Sequence, residues 1–120
     1  MLAANYDITL DRAADYSFVL TIEDAEGVAV DLSAGTTLFY ADVRSVATKA
    51  QAVQFTPTKT AGTGGVVTFK LTKADTKLLK AGEGLYEYDI FMALEASPNT
   101  VTRRLLYGSV TVRPQFTNNV

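Results

Sequence analysis

Apolar residues recur at every second position along most of the chain, which is the period of a β-strand with one buried face. A polar turn at 24–27 separates two of these stretches and predicts a hairpin, and the Thr- and Gly-rich segment 56–65 predicts a mobile loop. Apart from the second strand of this hairpin, the predicted strands cover residues 6–11, 16–23, 37–46, 51–55, 67–71, 85–94 and 101–113.

One short helical turn interrupts this pattern near residues 72–80. Thr72 can cap the turn, and Asp75 three residues later is favoured by the positive end of the helix dipole. Leu78 and Leu79 are predicted to close one end of the molecule.

Gly84 and Tyr86 stand at the start of the strand that follows this turn. Immunoglobulin-like sandwiches use this order, a helical turn and then Gly-x-Tyr, where the chain passes from one sheet to the other. Tyr86 could contact a ligand, but a structural corner tyrosine that bonds to nearby backbone is the favoured interpretation. We therefore predict an all-β fold, an immunoglobulin-like antiparallel β-sandwich of about 7–9 strands, formed as one domain over residues 1–120.

Charge and composition exclude several classes of partner. The chain has 11 basic and 13 acidic residues, a net charge of -2, and its Lys and Arg residues are scattered. It therefore lacks the basic patch that nucleic-acid binding needs. No apolar stretch reaches the roughly 18 residues of a membrane span. The chain has no cysteine, which fits folding in a reducing cytoplasm.

The absence of His and Cys removes the usual catalytic and zinc-binding designs. We expect no enzymatic activity, no cofactor and no metal. The acidic residues Asp24, Glu26 and Asp31 surround one turn and could hold calcium, but their spacing lacks the order of a calcium-binding loop. An acidic, soluble turn is the favoured interpretation.

Arg103 and Arg104 are adjacent, so on a strand they point to opposite faces. One of them could bind a carboxylate of a partner protein. The alternative, which we favour, is that both pair with Glu87 or Asp89 on the neighbouring strand.

Five segments carry a resemblance to a known group of proteins. They are YDITLDR at 6–12, the turn DAEG followed by VDL at 24–32, LTKADT at 71–76, GLYEYDI at 84–90 and TRRLLYGSVTV at 102–112. Together they resemble small virion proteins of tailed bacteriophages, a group similar to the N-terminal domain of the upper baseplate protein (BppU-like) family. The resemblance implies a non-catalytic immunoglobulin-like module that is made in the cytoplasm of the bacterial host, is carried on the virion and attaches to other virion proteins.

An exposed sheet face gives independent support for such a role. Strands 37–46, 85–94 and 101–112 are predicted to share a sheet whose outer face carries the interface candidates Tyr40, Phe91, Leu105 or Tyr107, and Arg103. Several large apolar groups on one exposed face are typical of protein contacts. The alternative is that the chain's own loops cover this face, or that the assignment of inner and outer residues is shifted by one.

The predicted function is that of a non-enzymatic structural protein of the tail, baseplate or neck, which docks on other virion proteins through a sheet face or edge. It would act as a homo-oligomer or as part of a symmetric array. Two alternatives are a capsid decoration protein and a carbohydrate-binding module for host attachment. The absence of Trp weakens the carbohydrate alternative.

Overall fold

A computed structural model describes residues 4–24, 26–32, 37–61, 64–96 and 99–117, and β-strands make up most of these ranges. The single helix in the described ranges, α1, has five residues. In chain order the elements are β1 (Ala4–Asn5), β2 (Ile8–Asp11), β3 (Tyr16–Thr21), β4 (Thr37–Ser45), β5 (Gln51–Gln54), β6 (Thr56–Ala61), β7 (Val66–Leu71), α1 (Lys73–Lys77), β8 (Gly82–Ala96) and β9 (Asn99–Arg113).

The strands form two sheets packed face to face, which confirms the predicted β-sandwich. One sheet has six strands in the order β1-β9-β8-β4-β5, with β2 also paired to β9, and the other has three in the order β3-β7-β6. β1 and β2 run parallel to β9, whereas the other pairs are antiparallel. The prediction that the sandwich is antiparallel is therefore wrong for β1 and β2. Alternation of apolar residues indicates which face of a strand is buried, but it does not indicate the direction in which the strand runs.

Two predictions about strands were wrong. Residues 56–61, predicted as a mobile loop, form the edge strand β6, in which Thr56 pairs with Lys70 and Thr58 with Thr68. β-branched Thr favours strands, and an edge position tolerates a proline. The second arm of the predicted hairpin is not a strand: a single bridge between Glu23 and Ala29 is all that pairs it within the described residues.

An aromatic cluster fills the space between the two sheets. Phe69 of β7 is fully buried and stacks on Phe18 of β3, with their ring centroids 5.5 Å apart. Phe39 of β4 meets the same ring edge-on at 5.7 Å, so the cluster joins both sheets. Edge-to-face and offset-stacked pairs of this kind contribute stabilisation beyond that of area burial.

Helix α1 closes one end of the sandwich. Thr72 caps it as predicted: its hydroxyl accepts the Asp75 N–H at 3.2 Å, and the Asp75 carboxylate accepts the Thr72 N–H at 2.9 Å. Leu79 is buried, but Leu78 is 70% exposed, so the prediction that both close the end was wrong. Neighbouring residues near a helix end point in different directions, and only one of them can face the core.

Tyr86 lies at the start of β8, where its hydroxyl accepts the backbone N–H of Lys80 at 2.8 Å. Its side chain is 8% exposed and belongs to the core. This hydrogen bond joins the segment after α1 to the first part of the long strand β8, in the way that a corner tyrosine does.

Tyr86→Phe should lower the free energy of unfolding by about 1 kcal/mol, because the Lys80 N–H loses its acceptor while the ring stays in place. Tyr40→Phe is the matched control. Tyr40 is half exposed, so the loss of its hydroxyl group should change stability little. Urea unfolding of the two variants measures the difference. Equal stabilities would show that the corner bond contributes nothing.

Gly108 of β9 allows the N-terminal segment to approach β9 closely. A Cβ at this position would lie 2.3 Å from the carbonyl oxygen of Tyr6, which is closer than any real contact. The Tyr6 N–H donates to the Tyr107 carbonyl at 2.8 Å, and the Tyr88 hydroxyl donates to the Tyr6 carbonyl.

Gly108→Ala should therefore destabilise the protein by about 1–3 kcal/mol, since the methyl group must displace the backbone at Tyr6. Gly64→Ala is the control, because a Cβ there meets its nearest neighbour, a methyl group of Val66, at an ordinary 3.9 Å. Thermal unfolding followed by circular dichroism should show a lower Tm for the first variant only. A wild-type Tm for Gly108→Ala would contradict the close approach.

Candidate functional site

The outer face of the six-stranded sheet carries a row of apolar side chains, which we name the apolar ladder: Leu38, Tyr40, Phe91 and Ala93. Tyr40 lies directly opposite Phe91, and Leu38 lies opposite Ala93, across β4 and β8. Leu38 is 40% and Tyr40 is 50% exposed, whereas Phe91 is half-buried and Ala93 is buried. The ladder is therefore a flat apolar strip whose solvent contact is concentrated on β4.

Ion pairs border one end of the apolar ladder. The Glu87 carboxylate accepts hydrogen bonds from Lys49 Nζ at 3.0 Å and from Arg44 Nε at 2.8 Å. The bond from Lys49, followed by the bond and charge of Arg44, lowers the pKa of Glu87 below its ordinary value. The three side chains are partly exposed, so water and salt weaken this network.

Arg104 and Tyr107 form a second polar cluster beside the apolar ladder. The Arg104 guanidinium lies 3.5 Å from the Asp89 carboxylate, which agrees with the favoured pairing of this arginine. The same guanidinium lies 4.6 Å from the centre of the Tyr107 ring, within the range of a cation–π contact. Aromatic and arginine side chains of this kind are enriched at protein interfaces.

Asp42 lies between the apolar ladder and the ion pairs. It stands directly opposite Asp89 on β8, and one of its carboxylate oxygens, Oδ1, is buried without a hydrogen-bond partner among the described residues. Like charges opposite each other destabilise a sheet, and a buried oxygen without a donor costs further free energy. The two carboxylates make this part of the face locally negative, with Arg104 as the neighbouring cation.

The predicted interface residues fall into two groups. Tyr40, Phe91 and Tyr107 share the outer face, as predicted. Of the alternatives Leu105 and Tyr107, Tyr107 lies on the outer face, because Leu105 is only 6% exposed and belongs to the core. The prediction is wrong for Arg103, which pairs with the buried Met92 and so lies on the opposite face. The cause is a β-bulge: the pairing of β8 with β9 shifts between Ile90 and Phe91, which reverses the alternation in β9.

Leu38 and Asp42 belong to the face but were not among the predicted interface residues. The sequence does indicate their position, because both lie at an even spacing from Tyr40 along β4 and so share its face. The opposition of Asp42 and Asp89 depends on the register of two strands, which a single sequence does not specify.

The acidic turn has a structural role. Asp24 Oδ1 accepts the backbone N–H groups of Glu26 at 2.9 Å and Val28 at 3.0 Å, which is a local cap of the turn. Within the described ranges no group of three acidic side chains is arranged to hold a metal ion. The helix in these ranges is too short to cross a membrane.

Glu87→Gln should lower stability at neutral pH by about 0.5 kcal/mol or less, the usual size for partly exposed ion pairs. Because the pKa of Glu87 is lowered in the folded state, the ion pairs stabilise the protein above the ordinary glutamate pKa and lose this effect as the pH falls through the lowered value. The difference from wild type should therefore vanish in acid.

Urea unfolding at several pH values measures this difference. Glu83→Gln is the control, since Glu83 is exposed and should leave stability almost unchanged at every pH. A deficit in Glu87→Gln that stayed constant down to the most acidic pH would argue against an electrostatic cause.

Three comparisons relate the chain to known proteins. A family model described as LtfC-like, beta-sandwich domain matches residues 3–113. No curated protein matches the chain. Among solved structures the chain is similar to the N-terminal Ig1-2 module of the Drosophila receptor protein tyrosine phosphatase DLAR, with 12% sequence identity and a TM-score of 0.41. This match covers 91% of the chain and 45% of that structure, so the chain spans less than half the length of the structure it matches.

Proposed function

The chain belongs to the LtfC-like β-sandwich domain family, and from this premise we propose that it is a non-enzymatic structural protein of a bacteriophage virion. It attaches to other particle proteins in the tail, baseplate or neck through the outer face of the six-stranded sheet. The family supports a phage-related structural protein in general terms. The resemblance to the upper baseplate protein family stays a prediction, because the matching family model has a different description.

The apolar ladder is the observation that carries this proposal. Leu38 and Tyr40 leave 40% and 50% of their surface in water on a face that also holds Phe91. Fully burying one large apolar side chain stabilises a complex by about 1.5–3 kcal/mol, so covering these half-exposed residues would supply a few kcal/mol. Scattered single apolar residues are normal on a surface, but a contiguous strip across two strands favours a docking site.

The polar groups beside the ladder indicate what the partner presents. Asp42 has a carboxylate oxygen without a donor, and it faces a second carboxylate, Asp89. A partner surface that presents an apolar group to Tyr40 and a Lys or Arg beside the two carboxylates would cover the ladder and offset their charge. Exposed pairs such as Glu87 with Lys49 would form the solvated rim of this contact.

Other virion proteins are the proposed partners, and the contact would be repeated around the symmetry axis of the particle. In a homo-oligomer, this repetition lets weak single contacts hold the protein on the virion, since the linked copies bind together. Decoration of the capsid would use the same chemistry at another place on the particle.

Tyr40→Glu should reduce incorporation into virus particles by at least about tenfold, because the new carboxylate would be buried beside Asp42 without a counterion. Leu78→Glu is the matched control: it makes the same apolar-to-acidic change at a side chain that is 70% exposed, at the helix end. Particles assembled with each variant in place of wild type are purified and the protein is quantified by immunoblot.

Circular dichroism and urea unfolding of both variants check that the fold is intact. A folded Tyr40→Glu protein that enters particles at the wild-type level would reject this face as the attachment site. Loss of incorporation with both variants would show that the effect does not depend on this face.

A further inference from the structure

The strand β3 forms an edge of the three-stranded sheet, and within the described residues it pairs with β7 alone. The Ile22 N–H donates to the Gly65 carbonyl across from it at 2.8 Å. Because backbone groups alternate in direction along a strand, the N–H and C=O groups of Ser17, Val19 and Thr21 point away from β7. Apart from the pairing with β7, no hydrogen bond joins these three residues to another described residue.

The other edges of the sandwich carry features that disfavour strand addition. β1 and β2, which form the edge beside β9, have only two and four residues. β6 contains Pro57 and Lys59, and its register shifts between Thr58 and Ala61. β5 has only four residues, with a register shift in its pairing with β4. Prolines, lysines, bulges and short strands are the usual means of blocking an edge. β3 spans six residues without a charge, a proline or a register shift.

An apolar cleft runs beside the open edge of β3. Its volume is 370 Å³, and its lining includes Tyr6, Phe18, Leu20 and Leu106. A strand added to β3 would direct every second side chain into this cleft, between the two sheets. Its other side chains would point outward and lie beside Val19, which is 63% exposed. The cleft therefore favours a strand with apolar residues at alternate positions.

Acidic residues lie at both ends of β3. Asp15 precedes the strand, Glu23 and Asp24 follow it, and all three are exposed. The span from residue 15 to residue 23 is about 26 Å at the rise of a β-strand. An antiparallel pair of two β3 strands centred on Val19 would place Asp15 of one copy opposite Glu23 of the other, which is unfavourable. Basic residues at the ends of the added strand would be favourable instead.

We propose that the open edge of β3 binds an extended segment of another protein as a fourth strand. The segment has an uncharged centre with alternating apolar residues and a Lys or Arg at each end. Backbone hydrogen bonds supply affinity and the cleft supplies selectivity, as in other cases of strand addition. This inference rests on the proposed function in one respect only, namely that the segment belongs to another virion protein.

The probe for this site is a fluorescent peptide, Lys-Lys-Thr-Val-Thr-Val-Thr-Val-Lys-Lys, capped at both ends. Fluorescence anisotropy should show saturable binding to the wild-type protein. Val19→Pro removes an outward N–H without breaking the pairing with β7 and should weaken binding at least tenfold. Val19→Ala keeps this N–H and is the matched control, with an affinity within about threefold of wild type.

Two further measurements do not depend on the folding of Val19→Pro. N-methylation of the peptide at alternate residues should lower its affinity at least tenfold. Replacing each Lys of the peptide by Glu should also lower its affinity at least tenfold. Hydrogen exchange by NMR should show unprotected amides at Val19 and Thr21 in the free protein, which become protected when the unmodified peptide is added.

Three results would overturn the proposal. These are no saturable binding up to millimolar peptide, binding that N-methylation leaves unchanged, and protection of the Val19 amide through dimerisation of the free protein. None of these assays involves Tyr40 or virus particles, so their failure is separate from failure of the proposed function. A protein that binds the peptide but does not enter particles would keep the edge site and remove the virion role.

Discussion

The packing of Phe69 against rings from both sheets is the interaction on which the rest of the structure depends. Phe18 comes from its own sheet, and Phe39 reaches it from the other. Because Phe39 must point inward to make this contact, the alternation of β4 forces Leu38 and Tyr40 outward. The exposed apolar ladder is thus a direct result of the core, and its position changes only if the core changes as well.

The sequence predicted those parts of the fold that are expressed as alternation within one strand. The two-layer architecture is of this kind. The cap at Thr72 was predicted from a different local signal, the spacing of Thr72 and Asp75. β6 was missed because half of its residues are Thr and only one is an aliphatic residue, Ala61, so no alternation of apolar residues marks it. Its order comes from backbone pairing with β7. On the outer face, alternation placed Tyr40 correctly, but the bulge reversed Leu105, since Leu105 and Leu106 are both apolar and either could face the core.

The two proposed contacts differ in what they recognise. The outer face of the six-stranded sheet offers side chains, with Tyr40 and Asp42 as its distinctive groups, so binding there depends on the identity of the partner's residues. The edge of β3 offers backbone groups, so binding there depends mainly on an extended conformation. The two lie on different sheets, so one protein molecule could hold both partners at once.

The parallel pairing of β2 with β9 determines how the sandwich responds to a pulling force. Ile8 to Asp11 lie beside Val110 to Arg113 in the same direction, and Arg113 holds the Asp11 carboxylate with two hydrogen bonds of 2.7 and 3.1 Å. Tension between the start of β2 and the end of β9 would act along both strands and shear all of these bonds together. Antiparallel strands pulled apart from one end open one bond at a time, so this geometry resists tension along the common axis of β2 and β9 more strongly than a pair that is peeled from one end.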